Sequence, residues 1–189
     1  MENKILELLK DSGAFLEGHF LLTSGKHSNI YIEKFRLMES PKHLDTICRM
    51  MSSQFNQDEV DVVLGAAIGG ILLSSGVAKY LNKKSIFTER IKEKMELRRG
   101  FEIKDNSKVL IVEDIVSTGG SIFELIDVVN QNNANVVGIT SIVHRSMNEI
   151  DFECNYRPLL RYPVESWEES DMPDWLSKIP ITIHGRSGK

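Results

Sequence analysis

The sequence predicts an α/β fold with a mostly parallel central sheet flanked by helices. Short apolar strands alternate with helix-like stretches between residues 60 and 143, and two Gly-rich turns each follow one of those strands. Strands that are apolar on both faces and separated by helices form βαβ units, in which helices cover the sheet. The length of 189 residues suits one domain built from such units, so we expect a single domain over residues 1–189.

The N-terminal elements follow from local patterns. Apolar residues spaced through positions 5–9 predict a short amphipathic helix that ends at Gly13. Residues 14–34 alternate apolar and polar side chains around the polar segment SGKHS, which predicts strands on either side of a turn. Pro41 then begins a helix that extends to about Phe55, because proline suits the first helical turn.

The repeating part of the chain supplies the predicted parallel sheet. Its apolar strands are expected at residues 60–64, 85–88, 108–112 and 136–143. The first is followed by GAAIGG and a helix to Leu81, and the third by EDIVSTGGS and a helix from near Gly120 to Gln131. Ligands of such sheets bind beyond the carboxyl ends of the strands. We therefore expect the functional site where the two Gly-rich turns meet.

Composition limits the classes of partner. The formal net charge of −4 disfavours nucleic acid, whose phosphates need a basic surface. No stretch has the length and apolarity of a membrane span or a signal peptide, so we expect no membrane partner. Cys48 and Cys154 form no CxxC pair and suggest a structural role in a reducing, cytoplasmic setting. The five histidines show no zinc-binding spacing.

The segment VLIVEDIVSTGGS, residues 109–121, carries the strongest chemical signal. Glu113 and Asp114 stand at the end of a buried strand and can accept from sugar hydroxyls. Small and hydroxyl residues follow, and the amide groups at the start of the next helix can bind phosphate. Because side chains alternate across a strand, we expect the backbone to turn at the acidic pair. The segment is neither a GxxxxGK[ST] loop nor a GxGxxG fingerprint. An acidic pair followed by a phosphate-binding loop predicts a sugar-phosphate site.

This segment resembles the phosphoribosyl diphosphate (PRPP) motif of the type I phosphoribosyltransferases. The resemblance implies that family's fold, with a small hood from about residues 13–35 and 146–189. In the family the acidic pair binds the ribose hydroxyls and the following loop binds the 5-phosphate. It thus implies PRPP contacts from Glu113, Asp114, Ile115, Val116, Ser117, Thr118, Gly119, Gly120 and Ser121.

Two further segments resemble the orotate phosphoribosyltransferases within that family. GHFLLTSGKHSNIYIE, residues 18–33, is similar to the segment that covers the base, although Thr23 replaces a lysine of some members. HRS, residues 144–146, is similar to the base-recognising segment. The resemblance implies orotate contacts from Ser117, Arg145 and Tyr31. A planar guanidinium suits a carboxylate, and the alternative for Arg145 is a surface ion pair.

The resemblance also covers the diphosphate side of the site. GAAIGG is similar to the pyrophosphate loop and implies PRPP contacts from Ile68 and Gly69, where some members place a lysine. ERIKEKMELRRGF, residues 89–101, is similar to the mobile catalytic loop. Its implied catalytic cations are Arg90, Lys92 and Lys94, with Arg98 and Arg99 as further candidates. The alternative for this segment is a solvated charged hairpin.

Together these segments imply transfer of the 5-phosphoribosyl group from PRPP to orotate, with Asp114 and Glu113 in catalytic roles. Mg²⁺ is expected to arrive on PRPP rather than on a direct protein site. A homodimer that shares the catalytic loop between subunits is implied by the family alone. Two alternatives stay open: a transferase for another base such as a purine, and a PRPP-binding regulator without turnover.

Overall fold

The helices and strands follow the predicted alternation. The computed structural model describes residues 2–184. In chain order the elements are α1 (Glu2–Asp11), β1 (Phe15–Leu21), β2 (His27–Ile32), α2 (Lys34–Met38), α3 (Pro41–Ser52), β3 (Val62–Ala66), α4 (Gly69–Leu81), β4 (Lys84–Ile91), β5 (Lys94–Leu97), β6 (Lys108–Val116), α5 (Gly120–Gln131), β7 (Asn135–His144), β8 (Leu160–Arg161), α6 (Asp174–Ser177) and β9 (Ile181–Ile183). No helix within residues 2–184 is long and apolar enough to cross a membrane.

The central sheet confirms the predicted fold class. Its six strands have the order β5-β4-β3-β6-β7-β8. All neighbours pair in parallel except β4 and β5, which form an antiparallel hairpin. Helices α1, α3 and α4 pack on one face and α5 on the other. Along β3, Val63 faces the first group and Leu64 the second, which is why this strand is apolar throughout.

Some element boundaries differ from the predicted ones for physical reasons. Helix α3 ends at Ser52 instead of near Phe55, and the Phe55 ring packs where a side chain on Gly138 of β7 would otherwise lie. Helix α2 was not predicted, because a single turn leaves too short a periodic pattern to recognise. Strand β6 continues to Val116 instead of ending at residue 112.

A second, three-stranded sheet has the order β2-β1-β9. Strands β1 and β2 are antiparallel, as predicted around the SGKHS turn, and β9 adds to β1 in parallel. His19 Nδ1 contacts the Ile179 carbonyl at 2.9 Å, and His19 Nε2 contacts His27 Nδ1 at 2.7 Å. Because a carbonyl only accepts, Nδ1 of His19 carries a proton. The segment after β7 thus contributes a strand to each sheet, because β8 joins the central sheet and β9 joins the three-stranded one.

Candidate active site

A cavity of about 580 Å³ opens at the carboxyl ends of β3 and β6. This is the edge at which the sequence predicts the site. The cavity contains both predicted acids and the GAAIGG turn, together with residues of the small sheet and the β4–β5 hairpin. Its lining consists of Thr23, Tyr31, Lys34, Phe35, Ala66, Ala67, Ile68, Gly69, Arg90, Met95, Glu113, Asp114, Ile115 and Ser121.

Larger depressions occur elsewhere on the described surface. One of about 680 Å³ lies between β5, the following loop and α5, and one of about 730 Å³ lies beside α2. Neither contains the acidic pair or a Gly-rich turn. The cavity at the strand ends is therefore identified as the candidate site by its lining residues and not by its volume.

The acidic pair lies on a strand that does not turn. Strand β6 continues through Glu113 and Asp114 to Val116, so the turn predicted at this point is wrong. Both side chains still line the cavity. Pairing of β6 with β3 stops at Val112, while pairing with β7 continues to Val116. The free edge of β6 therefore exposes both of its faces to the same cavity.

Hydrogen bonds fix the two carboxylates. Glu113 Oε1 accepts from the Asp114 amide at 2.9 Å, and Asp114 Oδ1 accepts from the Ile115 amide at 2.6 Å. Burial, followed by the charge of Asp114, raises the pKa of Glu113 to about 8. Glu113 is therefore largely protonated near neutral pH in the free protein, which avoids two full charges side by side.

The loop after β6 forms a small cavity of about 60 Å³. Its lining is Glu113 with residues 115–122, so all the residues expected to bind the 5-phosphate meet there. Gly119 has φ +80° and a Cβ would lie 2.9 Å from the Phe152 ring, so only glycine fits. Helix α5 begins without a side-chain cap. Its first amides therefore lack intrahelical partners and favour an anion.

The GAAIGG turn approaches the acidic pair closely. A Cβ built on Gly69 would lie 1.9 Å from Asp114 Oδ2. A side chain at position 69 would therefore require the Asp114 carboxylate to move. Ile68 and Gly69 both line the cavity, and α4 begins at Gly69 without a side-chain cap. This turn therefore presents a second helix N-terminus to the same cavity.

Of the predicted base-binding residues, Tyr31 lines the cavity, Ser117 lines the small cavity of the loop after β6, and Arg145 lines neither. The Tyr31 ring stacks on His184 with a centroid distance of 5.0 Å. Arg145 follows β7, and its amide donates to the Val116 carbonyl at 2.8 Å beside Ser117. Burial lowers the pKa of Arg145, and the nearby Tyr31 partly offsets this effect. No carboxylate within residues 2–184 lies within ion-pair distance of Arg145.

Only one of the three predicted catalytic cations lies at the cavity. Arg90 lines the cavity and donates to Glu124 Oε1 at 2.8 Å and to the Glu93 carbonyl at 2.7 Å. Lys92 is exposed at the hairpin tip. Lys94 lines a separate groove beside α5. Neither lysine lines the cavity of its own chain.

The two further candidates in this segment pair with neighbouring acids. Arg99 Nε lies 2.6 Å from Glu89 Oε1, and Arg98 Nη1 lies 3.9 Å from Glu96 Oε2. Both arginines are exposed and outside the cavity. In this arrangement Arg90 is thus the cation of residues 90–99 that lies nearest to the expected chemistry.

Sequence reasoning missed Lys34. Its Nζ lies 2.5 Å from Asp114 Oδ2 inside the cavity, although 80 positions separate the two residues. The sequence offered no signal for it, because α2, which begins at Lys34, is a single turn that the sequence did not predict. A cation at a helix N-terminus opposes the helix dipole, so another reason must place it there.

Comparisons with known proteins agree with this geometry. The family described as "Phosphoribosyl transferase domain" matches residues 36–153. An orotate phosphoribosyltransferase of Thermoanaerobacter sp. (strain X514) is 41% identical over 184 residues, 97% of each chain. That of Caldicellulosiruptor bescii is 40% identical over the same length, also 97% of each chain. The solved orotate phosphoribosyltransferase of Aeropyrum pernix has a TM-score of 0.70 and 24% identity, covering 83% of this chain and 93% of its own, and supports the fold alone.

Proposed function

The chain belongs to the phosphoribosyl transferase domain family, and we propose that it transfers the 5-phosphoribosyl group of PRPP to orotate. The products are orotidine 5'-phosphate and diphosphate, in the synthesis of pyrimidine nucleotides. The relatives that match nearly the whole chain carry this activity in their names. The cavity at the strand ends has the acids and the helix N-termini that PRPP needs, and its Tyr31 lies near Arg145.

The observation that carries the choice of base is the state of Arg145. Its guanidinium is half-buried next to Tyr31 and has no acidic partner within residues 2–184. A desolvated cation without a counter-ion is costly, and an anionic ligand removes that cost. Orotate carries a carboxylate that can accept from both arms of the guanidinium, whereas purine bases carry none. This favours orotate over a purine.

The remaining residues explain how the reaction proceeds. Bond breaking leaves positive charge on the ribose, so the Asp114 carboxylate stabilises it, while Asp114 and Glu113 together hold the ribose hydroxyls. The loop of residues 115–121 fixes the 5-phosphate, and the GAAIGG turn supports the diphosphate. Arg90, Lys92 and Lys94 supply positive charge to the leaving group. Holding sugar and base in line removes much of the entropic barrier, and closure of the β4–β5 hairpin excludes water.

Mg²⁺ fits this site as an ion that arrives bound to PRPP. Residues 2–184 contain no group of three or more His, Cys, Asp or Glu side chains arranged to hold a metal ion. Mg²⁺ commonly keeps several waters and binds through substrate phosphates with one or two carboxylates. Glu113 and Asp114 are the carboxylates available to it here. When bound, the ion neutralises charge on the diphosphate.

We propose a homodimer in which each subunit's catalytic loop serves its partner's cavity. The exposed positions of Lys92 and Lys94, away from the cavity of their own chain, support this arrangement. We also propose a cytoplasmic location. Both cysteines within the described chain are free, which suits a reducing compartment.

The decisive experiment follows the absorbance of orotate with PRPP and Mg²⁺ present. We expect orotate to be consumed and diphosphate to appear in equal amounts. Consumption of a purine base instead of orotate would support the transferase for another base. Binding of PRPP without turnover of any base would support the regulator.

The role of Arg145 can be tested by substitution. Arg145→Ala should raise the KM for orotate about 10- to 100-fold, because a hydrogen-bonded charge is lost. The KM for PRPP should change little. Arg145→Lys should restore only part of the loss, since an ammonium lacks the planar fork. Arg161→Ala, which removes a surface partner of Glu149, is the matched control. An unchanged orotate KM in Arg145→Ala would exclude the proposed contact.

A further inference from the structure

A lysine that the family resemblance does not explain lies inside the proposed PRPP cavity. The Nζ atom of Lys34 lies 2.5 Å from Asp114 Oδ2. The Asp114 side chain is only 5% exposed, while that of Lys34 is 31% exposed. The ammonium therefore connects the buried acid with the open part of the cavity.

The ammonium also lies beside the start of α4. A Cβ built on Gly69 would lie 1.9 Å from Asp114 Oδ2 and 3.5 Å from Lys34 Nζ. The carboxylate, the ammonium and the first turn of α4 thus meet at one point. Helix α4 has no side-chain cap, so its first amides and the ammonium are donors available to the same anion.

The stability of α2 does not explain why the lysine is there. Lys34 is the first residue of α2, where its charge opposes the helix dipole. Its ion pair compensates the buried charge of Asp114, but a counter-ion alone does not need an ammonium that is 31% exposed. A role in holding a ligand accounts for both the unfavourable helix position and the contact inside the cavity.

The other cation of the cavity is already occupied. Arg90 is bonded to Glu124 and to the Glu93 carbonyl. Within residues 2–184, the anionic partner of Lys34 is Asp114, the acid to which we assign the ribose hydroxyls. An ammonium has three donors, so Lys34 can keep its bond to Asp114 and still donate to a second oxygen.

We propose that Lys34 is a substrate-binding residue for the diphosphate group of PRPP. In the free protein it holds the Asp114 carboxylate at the mouth of the GAAIGG turn. When the ribose hydroxyls reach Asp114, the ammonium donates to a diphosphate oxygen next to the reacting carbon. This assignment rests on the proposed transfer from PRPP, and it adds a cation from α2 to those of the hairpin.

The test compares Lys34→Gln and Lys34→Arg with the wild type. Lys34→Gln should raise the KM for PRPP, and the Kd for Mg²⁺–PRPP measured by calorimetry without orotate, about 10- to 100-fold. The KM for orotate should stay near that of the wild type. Lys34→Arg keeps the charge and should recover part of the affinity. Lys79→Gln removes a lysine with a carboxylate partner, Asp45, outside the cavity and should leave PRPP binding unchanged.

Protection from amine-specific labelling gives a second measurement on the unaltered chain. Saturating Mg²⁺–PRPP should slow modification of Lys34, detected by mass spectrometry, and should leave Lys79 unaffected. A wild-type Kd for PRPP in Lys34→Gln, or an unchanged labelling rate of Lys34, would overturn the proposal. Failure of the wild type to consume orotate would instead contradict the proposed function, and PRPP binding would still decide the role of Lys34.

Discussion

The carboxyl group of Glu113 is buried beside another acid, and this makes its charged form costly. Burial and the charge of Asp114 raise its pKa to about 8, above the ordinary value of 4.5. The folded protein therefore binds this proton more tightly than the unfolded chain does. Its contribution to stability is complete below the unfolded pKa and is lost as the pH rises through the folded pKa. Because of Glu113, the free energy of unfolding should therefore fall as the pH rises from 4.5 to about 8.

Glu113→Gln separates this effect from all other titrations. The amide cannot ionise, so the free energy of unfolding of Glu113→Gln, relative to that of the wild type, should increase from pH 5 to pH 8. We expect a gain of roughly 2–4 kcal/mol across this range, from the size of the pKa change. Urea unfolding of both proteins at the two pH values measures it. A difference that does not vary with pH would mean that Glu113 ionises normally in the folded protein.

At the scale of single residues, the sequence predicts groups that act through local geometry. Glu113, Asp114 and Gly119 belong to one continuous segment, so their meeting follows from chain order. Lys34 reaches Asp114 only through the packing of α2 against α3 and α4, and no local pattern encodes that contact. The wrong turn at the acidic pair has a similar origin, because it depends on where β3 stops pairing with β6.

At the scale of elements, the β4–β5 hairpin is the alternative form that the sequence left open for the charged segment. The sequence indicates a mobile catalytic loop or a solvated hairpin, and the structure shows paired strands with left-handed residues Lys92 and Glu93 at the tip. The hairpin is tied to α5 by the bond from Arg90 to Glu124. Because that contact spans 34 positions, charge density alone could not predict it. We infer that Glu124 positions Arg90 at the cavity.

Glu124→Gln tests this positioning role. The neutral amide should hold Arg90 less firmly, and the KM for PRPP should rise several-fold, since an ion pair of this exposure contributes up to about 1 kcal/mol. The kcat should change less than the KM. Glu89→Gln, which removes the partner of Arg99 outside the cavity, is the control. If both variants behave alike, Glu124 has no special role in placing Arg90.

At the scale of the whole molecule, the sequence predicts the α/β architecture well because each βαβ unit is encoded locally. It says less about how the last forty residues return to the rest of the chain. Strand β8 extends the central sheet, whereas β9 pairs with β1 and Trp167 bonds to His27. These are pairings between distant segments, and their short strands carry little pattern of their own. In the described chain the C-terminal segment therefore joins the three-stranded sheet to the central one.

The proposed sharing of loops between subunits can be tested by mixing inactive variants. Asp114→Asn should mainly lower kcat by removing an acid from the cavity, while the double variant Lys92→Ala/Lys94→Ala removes loop cations that lie outside the cavity of their own chain. Each protein alone should have little activity. If the loop acts on the partner, every mixed dimer has one site with an intact acid and an intact loop.

Co-refolding the two variants in equal amounts should then restore about a quarter of the wild-type activity, because half of the symmetric dimers are mixed and each has one complete site. Refolding Asp114→Asn with Lys34→Gln, assayed at a PRPP concentration near the wild-type KM so that Lys34→Gln sites stay largely empty, is the control, since both changes affect the same cavity and every mixed site keeps one defect. Activity in the first mixture but not in the second requires that the loop crosses to the partner. Absence of recovery in both, with dimers verified by light scattering, would mean that Lys92 and Lys94 act within their own chain.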